Sequence, residues 1–211
     1  MNLDVIVPVG PGHEKLFNEA TQSVKIACLT GTGPFKDVKV KGVNDTDGDL
    51  GRSAARNHAI RASKANWLFF LDADDLMYPY ALESVRDYVK SYDAIWGKIS
   101  ELNNGCILER YQIPVIDKYE QLLEVDPYYT LQMGFFVRRE VMPLFDESMN
   151  TGEDWKVYLK LWENHRCIKQ SHTLMINRRG FHSQGPKSAT GAQWSNVVHS
   201  MLDEKRNDQG R

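Results

Sequence analysis

Three carboxylates follow a short apolar run in the first half of the chain. Residues 67–71 read Trp-Leu-Phe-Phe-Leu, which predicts a buried strand, and Asp72, Asp74 and Asp75 come directly after it. Carboxylate oxygens are the ligands that Mg²⁺ and Mn²⁺ prefer, and these ions usually keep positions open for substrate phosphates. The alternative is a solvated turn in which an Asp caps the next helix. The pattern alone leaves a cation-bridged diphosphate site and a capping turn equally open.

Glu153 and Asp154 form a second acidic pair, at the start of a helix predicted over residues 154–164. A carboxylate in the first turn of a helix complements the positive end of the helix dipole. A carboxylate that projects into a cleft can instead act as a general base and take the proton of a substrate hydroxyl. Both roles are open for this pair.

Basic and amide side chains lie on a helix predicted over residues 52–63. Arg52 and Arg56 are one turn apart on the same face, and Asn57 follows them. Arginine binds phosphate oxygens well, and a surface ion pair is its alternative role. Asp45 precedes this helix in a loop rich in turn formers, where an Asx turn competes with a ligand contact.

The polar segment 178–191 is predicted to be a loop that contains Arg178, Arg179 and His182. A neutral imidazole can bind a metal ion, and an arginine can pair with phosphate oxygens. A solvated basic loop is the alternative, since loops are polar whether or not they bind a ligand.

The elements that must position these residues alternate between strand and helix. Such alternation indicates an α/β fold with a mostly parallel sheet covered by helices on both faces, whose ligands bind beyond the carboxyl ends of the strands. The second half is less regular, and Asn103-Asn104-Gly105 predicts a hairpin turn, so we expect part of the sheet to be antiparallel. The predicted strands are 3–9, 38–43, 67–71, 94–99, 106–111 and 135–137, and the predicted helices are 13–28, 52–63, 79–92, 119–125, 154–164 and 193–205.

Composition restricts the class of protein. The chain has 211 residues, of which 42% are hydrophobic, enough for one globular domain with a substantial core. A net charge of -2 provides no general attraction for nucleic acid. Three cysteines without a Cys-x-x-Cys pair argue against a disulfide framework and a zinc cluster. No apolar run reaches the roughly 18 residues of a membrane span, and no signal-peptide pattern is present, so we expect a cytoplasmic protein.

Four segments, taken together and in this order, resemble the GT-A glycosyltransferases of the inverting family 2. They are Val7-Pro8-Val9, residues 51–57 (Gly-Arg-Ser-Ala-Ala-Arg-Asn), residues 70–75 (Phe-Leu-Asp-Ala-Asp-Asp) and residues 152–155 (Gly-Glu-Asp-Trp). The resemblance implies a single GT-A domain with a Rossmann-like nucleotide-binding half and a smaller mixed acceptor-side sheet. The implied divisions are a nucleotide-sugar half at about 1–97, an acceptor and catalytic half at about 98–191, and a C-terminal helix and tail at 192–211.

The resemblance also implies roles for individual residues. Asp74 looks like the family's ligand for Mn²⁺ or Mg²⁺, Asp72 contacts the ribose or the metal through water, and His182 is the candidate third metal ligand. Asp154 is the expected catalytic base, with Glu153 as the fallback. Asp45 is the candidate acceptor for the uracil ring N–H. The full set of expected nucleotide-sugar contacts is Pro8, Val9, Asp45, Arg52, Arg56, Asn57, Asp72, Ala73 and Arg179.

The implied activity is metal-dependent transfer of a sugar, with inversion, from a nucleotide-sugar donor to a hydroxyl of a glycan or small molecule, and a UDP-sugar is the favoured donor. A catalytically silent nucleotide- or glycan-binding module is the alternative from another class. A sugar-phosphate nucleotidyltransferase is less favoured, because it needs a Gly-rich phosphate loop with a basic residue after the first strand, and Gly10-Pro11-Gly12 is too short. The chain also departs from the family in its nucleotide half, since only six positions separate Asp45 from Gly51, where the family usually inserts a strand.

Overall fold

The chain folds around one eight-stranded β-sheet, and the computed structural model describes residues 1–178 and 190–209. The strands are β1 (Asn2–Val9), β2 (Asp37–Asn44), β3 (Trp67–Phe70), β4 (Leu76–Met77), β5 (Ala94–Asn103), β6 (Cys106–Glu109), β7 (Phe136–Arg138) and β8 (Cys167–Arg178). The helices are α1 (Glu14–Thr30), α2 (Arg52–Ala62), α3 (Ala81–Ser84), α4 (Tyr119–Glu124), α5 (Glu153–Asn164) and α6 (Gly191–Gln209), with 3₁₀ turns at Pro127–Tyr129 and Arg139–Val141.

The strand order is β2-β1-β3-β7-β5-β8-β4, with β6 paired to β5 outside this path. β1 is parallel to both β2 and β3, so the carboxyl ends of these three strands lie at the same edge of the sheet. β7 is antiparallel to both β3 and β5, and β4 is antiparallel to β8. The expected α/β architecture, a parallel set of strands continued by a mixed sheet, is confirmed.

Two hydrophobic clusters cover the two faces of the sheet, because successive strand side chains point to opposite faces. Val5, Val7 and Phe69 pack on one face under α1 and α3, while Ile6 and Leu68 pack on the other face under α2, α4, α5 and α6. Each fully buried aliphatic or aromatic side chain of this kind contributes about 1.5–3 kcal/mol to folding. The helices that bear candidate site residues, α2 and α5, therefore share one face.

An aromatic cluster fixes α5 against this face of the sheet. Trp96 of β5 stacks on Phe135 with ring centroids 4.7 Å apart and meets Tyr158 of α5 edge-on at 5.3 Å. Trp155 and Tyr158 are wholly buried. Offset and edge-to-face contacts add about 0.5–1.5 kcal/mol per pair to the burial of the rings. The start of α5, where Glu153 and Asp154 lie, is held rigidly by this packing.

The predicted helix over residues 79–92 is wrong in extent. The structure has one α-helical turn, Ala81–Ser84, followed by irregular turns through Ser91. Leu82, Val85 and Val89 are still buried as the helical spacing predicts. Tertiary packing overrides propensity here, since the turns bury the same three side chains without a continuous helix.

β8 and β4 have no counterpart among the predicted strands. β8 contains the polar run Lys169-Gln170-Ser171-His172, which interrupts the apolar pattern of a strand. Its register against β5 shifts around Lys98, and tertiary pairing holds it in place. The predicted hairpin is confirmed: β5 and β6 are antiparallel, and Asn104 and Gly105 have φ of 48° and 79°.

No helix in the described ranges, 1–178 and 190–209, is long and apolar enough to cross a membrane.

Candidate active site

The acidic turn lies at the carboxyl end of β3, at the edge shared by the three parallel strands. Its backbone is closed by a 3.0 Å hydrogen bond from the Asp75 N–H to the Asp72 carbonyl. One carboxylate oxygen from each of Asp72, Asp74 and Asp75 lies within 4.8 Å of the others. Three carboxylate oxygens grouped in this way suit a hard divalent cation such as Mg²⁺ or Mn²⁺.

Asp75 belongs to the scaffold of this turn. Its side chain is almost wholly buried, and Oδ1 accepts hydrogen bonds from Asn177 Nδ2 at 3.0 Å and the Arg178 N–H at 3.1 Å. Burial raises the pKa of Asp75 well above its usual value, and the charges of Asp74 and Asp72 raise it further. The capping alternative is wrong for Asp75, because its side chain bonds to β8 and the N-cap of α3 is Tyr80.

Arg178 supports the same turn from the last position of β8. Its Nε donates to the Asp74 carbonyl and one terminal nitrogen donates to the Ala73 carbonyl at 3.1 Å, while another pairs with Glu19. The side chain is buried. The interpretation of Arg178 as part of a polar loop, free to pair with phosphate, is therefore wrong, since its guanidinium is bound to the turn that presents the carboxylates.

Arg56 joins the two acidic segments that the sequence places far apart. One guanidinium nitrogen lies 2.6 Å from Asp72 Oδ1 and another lies 3.3 Å from Glu153 Oε1. Arg52, one turn earlier on α2, contacts Glu153 Oε1 at 2.6 Å and donates to the Asn150 carbonyl at 2.7 Å. α2 thus holds the start of α5 against the acidic turn.

The two carboxylates of the second acidic pair differ in their surroundings. Both oxygens of Glu153 contact arginine, Oε1 with Arg52 and Arg56 and Oε2 with Arg52 at 3.2 Å. Asp154 is half-buried, and its Oδ1 accepts the Trp155 N–H at 2.8 Å. Burial, with the nearby charge of Glu153, raises the pKa of Asp154 to about 7. A carboxylate with this pKa can accept a proton from a hydroxyl near neutral pH.

One open cleft with a volume of about 280 Å³ is lined by Asp72, by the second acidic pair and by both arginines of α2. Met133 and Trp194 contribute apolar surface to the wall of this cleft, whereas the arginines and carboxylates contribute charge. The sequence analysis missed Trp194, although Trp194, Val198 and Leu202 recur every four residues and so share one face of α6. The lining residues are Arg52, Arg56, Asp72, Met133, Thr151, Glu153, Asp154, Thr190, Gly191 and Trp194.

Asp45 and Asn57 have their side chains bound to backbone. Asp45 Oδ1 accepts the Leu50 N–H at 2.9 Å and Oδ2 accepts the Gly51 N–H at 2.7 Å, which closes the loop before α2. Asn57 exchanges 2.8 Å hydrogen bonds with the backbone of Phe145. Because each carboxylate oxygen has further lone pairs, contact of Asp45 with a uracil N–H stays a prediction.

The remaining predicted contacts are divided between buried positions and the undescribed segment. Pro8 and Val9 are buried at the carboxyl end of β1, beside the end of β2, and Ala73 is buried within the acidic turn. Arg179 and His182 lie outside the described residues. Their roles stay predictions.

Comparison with known proteins finds glycosyltransferases among the relatives of this chain. Residues 32–152 match the model of glycosyl transferase family 2. The chain is 26% identical over 139 residues to an uncharacterized glycosyltransferase, MJ1057, of Methanocaldococcus jannaschii, covering 61% of this chain and 44% of that protein. It is also 26% identical over 165 residues to TarP of Staphylococcus aureus, a poly(ribitol-phosphate) beta-N-acetylglucosaminyltransferase, covering 71% of this chain and 49% of TarP. The chain spans about half the length of these relatives.

Solved structures show the same fold. TarS 1–349 of Staphylococcus aureus in complex with UDP-GlcNAc superimposes with a TM-score of 0.68 at 16% identity, over 96% of this chain and 65% of that one. TarS 1–349 in complex with UDP gives a TM-score of 0.62 at 18% identity, over 84% of this chain and 60% of that one. The architecture is that of the GT-A glycosyltransferases. With the family model matched over more than half of its length, this chain belongs to glycosyl transferase family 2.

Proposed function

We propose that this protein transfers a sugar from a UDP-sugar to a hydroxyl of a glycan or small molecule, with inversion at the anomeric carbon. One observation carries the proposal: Asp154, whose pKa is raised to about 7, lines the same cleft as Asp72 of the acidic turn. A base and a diphosphate-binding edge in one cleft are the two parts that direct displacement at a sugar carbon requires. TarS binds UDP-GlcNAc, so this donor is the first to test.

Asp154 is the proposed base. Inversion requires a carboxylate on the side opposite the leaving diphosphate, within hydrogen-bond reach of the acceptor hydroxyl. The oxygens of Glu153 are engaged with Arg52 and Arg56, which favours a positioning role for that residue. Glu153 then orients the arginines, while Asp154 accepts the proton as the acceptor oxygen attacks the anomeric carbon.

Asp72 and Asp74 are the proposed ligands for Mn²⁺ or Mg²⁺, with His182 as a third. Asp75 is buried and bound to β8 by two hydrogen bonds, whereas Asp72 and Asp74 are half-buried, and their partial exposure at the edge of the turn suits a cation that also contacts substrate. When bound there, the cation neutralises the diphosphate and the negative charge that develops as the sugar leaves. The buried Arg56 beside Asp72 adds a fixed positive charge at the same edge.

The donor is proposed to lie across the carboxyl ends of β1, β2 and β3, within the half formed by residues 1–97. The proposed contacts there and in the following segments are Pro8, Val9, Asp45, Arg52, Arg56, Asn57, Asp72, Ala73 and Arg179. The acceptor is proposed to bind on the side of residues 98–191, against Met133, and against Trp194 of α6. Aromatic and thioether surfaces suit the apolar face of a sugar ring.

Release of UDP from UDP-GlcNAc with Mn²⁺ tests the proposal. The wild-type protein is expected to release UDP, slowly without acceptor, and Asp154→Asn is expected to bind UDP-GlcNAc normally but to lose more than about 99% of turnover, as removal of a general base usually costs 10²-fold or more. Glu163→Gln is the matched control, because Glu163 lies on the same helix and pairs with Lys205 at the surface.

The other outcomes separate the alternatives. Donor binding without turnover by the wild-type protein would indicate a silent binding module. Formation of UDP-GlcNAc from UTP and the sugar 1-phosphate would indicate a nucleotidyltransferase. Near-normal transfer by Asp154→Asn would refute the assignment of the base.

A further inference from the structure

Three tyrosines and an arginine form an exposed aromatic surface on the acceptor side of the chain. This tyrosine platform consists of Tyr111, Tyr128, Tyr129 and Arg110. The rings of Tyr111 and Tyr129 meet edge-on at 5.4 Å, and those of Tyr128 and Tyr129 at 5.2 Å. Tyr111 is 75% exposed and Tyr128 is 49% exposed, so neither belongs to the core. Large exposed aromatic surface of this kind marks binding sites more often than chance.

Arg110 holds the platform in one arrangement. Its guanidinium carbon lies 4.2 Å above the ring of Tyr128, and its nitrogens donate to Gln132 Oε1 at 3.1 Å and to the Tyr128 carbonyl at 3.0 Å. Glu101 lies 3.9 Å away and pairs with its charge. A surface ordered before binding loses less conformational entropy when a ligand arrives.

The platform adjoins the cleft along the chain. Gln132, which binds Arg110, is followed directly by Met133, and Met133 lines the cleft that contains Asp154. This chain connection brings the platform near the Met133 side of the cleft, within reach of a ligand several sugar units long.

The charge of the chain segment that carries the platform favours some classes of ligand over others. Residues 101–132 contain six acidic and two basic side chains, and the Arg110 charge is already paired with Glu101. The excess of acidic side chains in this segment disfavours a polyanion such as poly(ribitol-phosphate) or nucleic acid. A neutral saccharide has C–H groups that pack against the negative faces of aromatic rings.

We propose that the tyrosine platform binds an uncharged oligosaccharide, as an outer subsite for a glycan acceptor that extends from the cleft. This inference rests on the proposed transferase function for its role in catalysis, whereas the binding itself does not require turnover. The acceptor of this protein is then a neutral glycan chain longer than one sugar unit.

Binding to an array of neutral and anionic oligosaccharides, with poly(ribitol-phosphate) included, tests the platform. The probe is the whole chain, as wild type and as Tyr111→Ala, Tyr128→Ala, Tyr111→Phe and Tyr80→Ala. Tyr80 is the matched control, a tyrosine 61% exposed outside the platform and the cleft. We expect neutral glycans to bind, each platform alanine variant to weaken binding about tenfold, and Tyr111→Phe and Tyr80→Ala to bind as the wild type does.

Four results would overturn the platform proposal: no neutral glycan bound by the wild type, equal binding by all variants, tyrosine-dependent binding of the polyanion, or a sedimentation change in Tyr111→Ala that shows a contact between copies instead. UDP release from UDP-GlcNAc without acceptor is measured on the same variants and should be unchanged. If no protein released UDP, the wild type included, the proposed function would be refuted. The glycan-binding result would still test the platform proposal independently.

Discussion

Replacing Arg56 by methionine should destabilise the fold far more than any other single charge removal on α2. Methionine keeps most of the apolar stem but removes the guanidinium that bridges Asp72 and Glu153. The side chains of Arg56 and Glu153 are 3% and 4% exposed, so the pair is buried, while Asp72 is 33% exposed and can be solvated.

The expected change in the free energy of unfolding depends on Glu153, which stays buried after the substitution. Removing one partner of a buried ion pair costs about 3–5 kcal/mol, because the other charge stays buried without compensation. Arg52 still contacts Glu153 at 2.6 Å after the substitution, which places the expected loss near the lower end, about 3 kcal/mol. Arg61→Met is the control on the same helix: Arg61 and Glu147 are 59% and 48% exposed and 3.6 Å apart, so its loss should cost less than about 1 kcal/mol.

Urea denaturation at pH 7, followed by tryptophan fluorescence, measures both changes in the free energy of unfolding. A second readout is the pH dependence of kcat/KM. Arg56 lowers the pKa of Asp154, so its removal should raise that pKa and move the acid limb of the profile to higher pH. Equal destabilisation by Arg56→Met and Arg61→Met would refute the reasoning, since the buried bridge would then have no special energetic role.

Three further predictions concern single groups. The kcat/KM of the wild type should rise with pH and level off above about 7, because Asp154 must be deprotonated to act as a base, and a profile flat from pH 5 to 8 would contradict this. The raised pKa of Asp75 means that the native state binds more protons than the unfolded chain, so the free energy of unfolding should fall as pH rises above about 3.9 toward that raised pKa. Asp75→Asn should reduce this slope in EDTA, and urea denaturation that shows an unchanged slope would count against it. Gly33→Ala should destabilise the fold by about 2 kcal/mol more than Gly12→Ala. Both glycines have positive φ, but only the Cβ at Gly33 would lie 1.9 Å from a backbone oxygen, that of Leu82. Equal decreases in Tm for the two variants would exclude the clash.

The elements that the sequence predicted correctly are those with a local signal, either a simple pattern of apolar residues or residue types that favour a particular turn. Residues 67–71 are apolar throughout, and Trp67–Phe70 form a strand buried on both faces, while Asn104-Gly105 has the φ angles of a hairpin turn. β8 could not be predicted in this way, because its polar residues become buried only through pairing with β5. Lys169, wholly buried within β8, has no local signal of burial at all.

The amino-acid sequence by itself determined the family, the α/β class of the fold and the identity of the acidic segments, because each depends on short local motifs or on a regular pattern of apolar residues. Only the tertiary structure decided what each carboxylate contacts. Asp75 is bound to β8, Glu153 is bound by arginines of α2, and Asp154 lies in the cleft with a raised pKa. The physical reason is that burial and ion pairing are set by residues distant in the chain, so neighbouring carboxylates acquire different surroundings and different pKa values only when the sheet and helices have packed.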